Sequence, residues 1–360
     1  MSAKTIDLSF KTPLSPDECV QAVLLYGQEN TVFFEGEPGI GKSSVHRALK
    51  RIIGDTHHHV YIDGPLRDVG DVQMYVPDMD SKTLVALISE QFPRDGKPFV
   101  IMIDEWLKAP RMLQTLFTRL ALERSLGDFQ LPDGSYVFMT SNLASDRVGD
   151  AIAAHADDRV LKFQMRKGTA EEIINANPHL NVSLKAAAAM NPRFWESYTD
   201  GESARDNPYI FNPTTGKTRD FLTPRSFCKC HDIIEKMARA GERMTRAALA
   251  GQVGMAAAEK IMGVALLQKD IFDVTLTFTD PHNAPLPDKV GALYMMMFHA
   301  IDKLQTQDDL SNFLTWHDRA KSLELESLFF SLLMRNKRTA AVAVHNGRVK
   351  QWVKDNAAIL

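Results

Sequence analysis

The stretch GEPGIGKSS, residues 36–44, lies between the apolar run TVFFE and the segment VHRALKRII. It fits G-x-x-x-x-G-K-[ST], in which backbone N–H groups curl around phosphates, the lysine reaches the outer phosphates and the hydroxyl binds magnesium. The pattern restricts the fold because it works only between a buried strand and a helix. Both flanks comply. Val32, Phe33 and Phe34 make a short β-prone run of the kind a buried parallel strand needs. Val45, Ala48, Leu49, Ile52 and Ile53 recur at the spacing of one helical face, and Gly54 supplies a stop. The N-terminus of that helix turns free amides and partial positive charge toward an anion. Gly39 and Gly41 let the backbone approach closely, and Pro38 stiffens the turn. The expected nucleotide-binding residues are therefore Gly36, Glu37, Pro38, Gly39, Ile40, Gly41, Lys42, Ser43 and Ser44.

A length of 360 residues allows a large core and two or three domains. A charged fraction of 24% and a net charge of -3 are those of a globular protein without the bulk basicity that announces nucleic acid. Cys19, Cys228 and Cys230 are the only cysteines, too few for a disulfide framework and suited to a reducing compartment. The first residues, MSAKTIDLSF, lack the apolar centre of a signal peptide, and GALYMMMFHAI is too short to span a bilayer. The expectation is a cytoplasmic protein with no membrane segment.

Strand and helix patterns alternate as far as about residue 165, which predicts an α/β core with a parallel sheet. After the first strand, HVYIDG (59–64), PFVIMID (98–104), SYVFMTSN (135–142) and VLKFQM (160–165) supply four more. From residue 168 the strand signals fade. Residues 169–200 and 224–263 are mostly helical in pattern, PHNAPLPDK (281–289) suits a semi-rigid linker, and helices resume to the end.

The third of these strands ends VIMIDEW, so Asp104 and Glu105 emerge at the carboxyl edge of a buried strand, where open parallel sheets bind ligands. Asp104 is expected to hold magnesium indirectly alongside Ser43, and Glu105 to polarise the water that attacks the γ-phosphate. The fourth strand ends in Thr140, Ser141 and Asn142; the Asn142 amide can orient that water and touch the γ-phosphate.

These segments together resemble the AAA+ ATPases, and within them the MoxR-like group, which includes versions carried by bacteriophages. GEPGIGKS looks like Walker A, VIMIDE like Walker B, and LPDGSYVFMTSN like the short hairpin and sensor 1 segment. SDRVGDAIAAHADDRV resembles the segment carrying the arginine finger, and LTPRSF the sensor 2 motif that opens a helix of the lid. The resemblance covers roughly residues 15–290. It implies a P-loop NTPase core with a five-stranded parallel sheet over residues 1–167, a helical lid over 168–280, and a linker with a helical C-terminal region over 281–360. It further implies a hexameric ring with ATP and magnesium between subunits. Arg159 aligns with the finger and Arg225 with sensor 2. Val160 stands where many relatives have Phe after the finger, and Arg147 is a second candidate for that role.

Arginines are needed there on physical grounds, since phosphoryl transfer spreads negative charge that a planar, permanently charged guanidinium stabilises. Other features have plainer readings. His57, His58 and His59 are adjacent and do not point one way, Cys228 and Cys230 are too close for a standard zinc pair, and MRNKRTAAVAVHNGRVKQWVK is a solvated helical face. Met295, Met296, Met297 and Phe298 belong to a core, while Met74, Tyr75 and Val76 are either a buried turn or a loop that grips substrate. The expected function is that of an ATP-hydrolysing ring that remodels or assembles protein substrates, with a von Willebrand factor A-type partner implied by the resemblance. The alternatives are a nucleic-acid motor of the same fold, which the near-neutral charge disfavours, and a nucleotide-held scaffold, which Glu105 and Asn142 disfavour.

Overall fold

The computed structural model describes residues 12–143, 159–216 and 219–356. The chain divides into two compact units, Met1–Lys167 and Gly168–Leu360. In the first, helix α1 (Pro16–Tyr26) opens with a capping box between Ser15 and Glu18, followed by strand β1 (Thr31–Glu35) and helix α2 (Lys42–Ile53). Then come β2 (His58–Asp63), the hairpin β3 (Gln73–Asp78) and β4 (Thr83–Ile88), and β5 (Phe99–Asp104). Helix α3 (Arg111–Glu123), the short pair β6 (Ser125–Leu126) and β7 (Phe129–Gln130), β8 (Tyr136–Ser141) and β9 (Val160–Gln164) complete the unit.

The five expected strands form one parallel sheet in the order β2-β5-β8-β1-β9. Their near-continuous apolar runs follow from burial on both faces. Val32, Phe34, Val100, Met102 and Phe138 pack with α1 and α2 on one side, and Phe33, Ile101, Ile103, Val137 and Met139 with α3 on the other. The sequence pattern had strands alternating with helices, but no α-helix lies between β2 and β5; the hairpin stands there instead. Its tip turns because the Asp78 carboxylate accepts from Asp80 N at 3.0 Å and from Ser81 Oγ at 2.7 Å.

Among the described residues of the second unit every regular element is helical. A single hydrophobic core runs from Ile173 to Val349, so helices on both sides of residues 281–289 share it. Met295, Met296, Met297 and Phe298 lie inside it. The Pro-containing stretch itself is tied down: Trp316 Nε1 donates to Pro285 O at 2.9 Å, and Arg319 Nη1 to Ala284 O at 2.7 Å. No helix of the described residues is long and apolar enough to cross a membrane.

Candidate nucleotide site

The loop after β1 is shaped by glycines that no other residue replaces easily. A Cβ on Gly36 would sit 2.5 Å from Ile40 Cδ1 and 2.9 Å from Met165 O. Gly39 and Gly41 take φ values of 75° and 107°, a region costly for residues with a side chain. Gly41 precedes α2 without any side-chain cap, which leaves the helix N-terminal amides to meet an anion. Ile40 anchors the loop in the core, and Ser44 closes the first turn by donating its hydroxyl to Gly41 O at 2.6 Å.

Lys42 is 6% exposed, and its Nζ donates to Gly36 O at 2.7 Å, Glu37 O at 2.9 Å and Asn142 Oδ1 at 2.9 Å. The lysine thereby joins the loop to the end of β8. Glu37 turns the other way and pairs with Lys167 at 3.5 Å, both deeply buried.

Asp104 gathers three hydroxyls. Ser43 Oγ donates to Oδ2 at 2.7 Å, Tyr61 OH donates to the same oxygen at 2.8 Å, and Thr140 Oγ1 donates to Oδ1. These come from α2, β2 and β8, so three separate elements fix one carboxylate. Burial, and then the bond to Asp104, raises the Tyr61 phenol above its ordinary range, keeping it a donor. Glu105 follows in the left-handed region, φ 51° and ψ 38°, with its N–H donating to Thr140 Oγ1 at 3.3 Å. Its carboxylate lies partly exposed, 2.8 Å from Lys108 Nζ. Next to Asp104 on the adjacent strand, Asp63 is raised above the usual aspartate range by burial and by the charges of Asp104 and Glu105.

Lys42, Ser43, Asp104, Glu105 and Asn142 thus converge at the carboxyl edge of the sheet. Arg159, in the same unit, is not part of that cluster. Arg159 is exposed at the start of β9, where Val160 pairs with Thr31, at the amino edge of the sheet. Arg225 is exposed in the first turn of the helix Pro224–Glu235, in the second unit. Arg147 lies outside the described residues. Sequence reasoning passed over Tyr61, Thr140 as a ligand of Asp104, and the Glu37 to Lys167 pair. Only Thr140 carried a signal, a hydroxyl one strand away at the same edge.

The donor set fits a magnesium nucleotide. A glycine-lined anion loop, an ammonium, and a hydroxyl beside a carboxylate are what phosphate oxygens and a hard cation require.

No protein-family model matches the chain, and no curated protein matches it. Among solved structures, one mutant form of Thermotoga maritima RuvB is 15% identical, covering 75% of this chain and 80% of that chain at a TM-score of 0.35. A second mutant form is likewise 15% identical, with 74% and 76% covered and a TM-score of 0.35.

Proposed function

We propose that this chain is an AAA+ ATPase that hydrolyses ATP with magnesium and works on protein substrates as a ring. The observation that carries the reading is the convergence of Lys42, Ser43, Asp104, Glu105 and Asn142 beside an uncapped helix N-terminus. Bound with magnesium, ATP supplies an electrophilic γ-phosphorus and a diphosphate leaving group. Lys42 would exchange its carbonyl partners for outer phosphate oxygens, and Ser43 would turn its hydroxyl from Asp104 to the cation, which Asp104 then holds through water. Glu105 would take a proton from the attacking water, and Asn142 would hold that water in line.

A ring accounts for the position of Arg159. The strand β1 separates the two edges of the sheet by four residue steps, about 13 Å at the rise of a strand. On this reading Arg159 serves a neighbour's phosphate rather than its own. A hexamer of the MoxR-like group, including its bacteriophage versions, with Arg225 as sensor 2 on a lid over 168–280 and a von Willebrand factor A-type partner, is the finer form of this reading. Three free cysteines fit a cytoplasmic site of action.

The hairpin favours protein over nucleic acid as substrate. Met74, Tyr75, Leu84 and Leu87 are exposed along it, and Asp78 and Asp80 stand at its tip. Apolar side chains beside acidic ones grip polypeptide and repel phosphate backbones.

The test is a mixing experiment. Glu105→Gln should bind ATP but turn it over about a hundredfold or more slower. Arg159→Ala and Lys42→Ala should each be inactive, and their mixture should regain part of the activity at interfaces pairing an intact finger with an intact loop. If subunits exchange and the mixture stays inactive, Arg159 does not act across an interface, and Arg147 is tested the same way.

A further inference from the structure

In the second unit, the helix Gln307–Asp318 ends on His317 and Asp318, and Glu326 lies in the first turn of the helix Leu323–Arg335. One ligand atom from each of the three lies within 4.8 Å of the others. His317 is 3% exposed, and neither ring nitrogen has a hydrogen-bond partner among the described residues. Such a group calls for an explanation, because a buried imidazole ordinarily satisfies both nitrogens.

Arg348 is the cation present. It donates to both Asp318 oxygens at 3.0 and 2.9 Å and to Glu326 Oε1 at 2.7 Å. One guanidinium against two carboxylates leaves a net negative charge, and no bond joins it to the imidazole. The Asp318 and Arg348 side chains are 54% and 41% exposed, so water partly screens their pairing. The C-terminal end of the helix Gln307–Asp318 adds partial negative charge at the same place.

We propose that His317, Asp318 and Glu326 form a site for a divalent transition cation, Zn2+ being the best match, which displaces Arg348 on binding. One imidazole and two carboxylates with a water make the open four-coordinate set that zinc accepts. Magnesium and calcium, which prefer oxygen ligands, are poorer matches. Ligands about 2.1 Å from a tetrahedral centre stand about 3.4 Å apart, so atoms now as much as 4.8 Å apart must close by up to about 1.4 Å. The metal would fasten the two helices across their short connection and release the helix Gly347–Asp355 from its ion pairs.

The test uses the full chain, stripped with chelator and held in excess Mg2+ without nucleotide, titrated with ZnCl2 by calorimetry and with Co2+ by visible absorption. One equivalent should bind. Glu326→Gln and His317→Gln should each weaken it about tenfold or more. Arg348→Gln should strengthen it several-fold by removing the competitor. Asp104→Asn and His58→Gln should leave it unchanged, which separates this site from the nucleotide site and the histidine run. If His317→Gln misfolds by circular dichroism, the partly exposed Glu326 decides alone. Absence of binding, or binding indifferent to Glu326→Gln, overturns the site.

Discussion

Two neighbouring strands end in the same dipeptide, Ile-Asp, and their aspartates pair in register at the carboxyl edge of the sheet. Asp104, closing β5, is buried beneath hydroxyls from Ser43, Tyr61 and Thr140. Asp63, closing the edge strand β2, is half-buried, and no hydrogen bond from the described residues reaches its side chain. Three donors offset the burial of the first carboxylate. The second bears its own burial together with the charges of Asp104 and Glu105, which raise it above the usual aspartate range. What sets the proposed cation partner apart from its neighbour is therefore the donors aimed at it. Position at the edge is shared by both.

The largest effect that bears on this contrast is the pair of single changes Asp104→Asn and Asp63→Asn. Magnesium-dependent ATP turnover should fall about a hundredfold in the first, the upper range for a group that orients a metal ligand, and stay near the parent's in the second. Equal losses would break the comparison.

Thr140→Val comes next. It keeps the shape of a fully buried residue and removes both its bond to Asp104 and its acceptance from Glu105 N–H. Thermal melts should show a loss of about 2 kcal/mol, and turnover should fall about tenfold. Tyr61→Phe should cost less, a few-fold rise in the Mg2+ concentration for half-maximal turnover, because Tyr61 is 39% exposed and water can take its place. A Tyr61→Phe effect as large as that of Thr140→Val would mean that the phenol does more than hold Asp104.

The smallest effect is on stability against pH. With its folded pKa raised above the unfolded value, Asp63 ionised costs stability once pH exceeds the folded pKa, and costs nothing below the unfolded one. Asp63→Asn should therefore melt slightly higher than the parent near neutral pH, and the two should converge as pH falls through the carboxylate range. A gap that widens on acidification would reverse the assignment.

The five strands, the glycine-rich loop after the first of them and the placement of Asp104, Glu105 and Asn142 at the carboxyl edge were legible because each follows from a local pattern: apolar runs, glycine spacing, an acidic pair ending a buried strand. The hairpin β3-β4 was not, since Gln73–Ile88 mixes exposed apolar residues with Pro77 and acidic turns and shows no clean alternation. Tyr61 and Lys167 were hidden for a different reason. Their partners, Asp104 and Glu37, lie 43 residues away for the first and across a strand pairing for the second, and no spacing rule connects them. The roles proposed for Arg159 and Arg225 rest on a resemblance of whole segments, and no local spacing of residues implies them.

Glu105 occupies the left-handed region, where a residue with a side chain carries about 1 kcal/mol of steric cost. Glycine would relieve that cost, and asparagine would lessen it. A laboratory selection for heat resistance would accordingly enrich Glu105→Gly or Glu105→Asn, and each gain would remove the group assigned to activate water. At this one position, breeding the chain for durability and breeding it for turnover pull toward opposite residues.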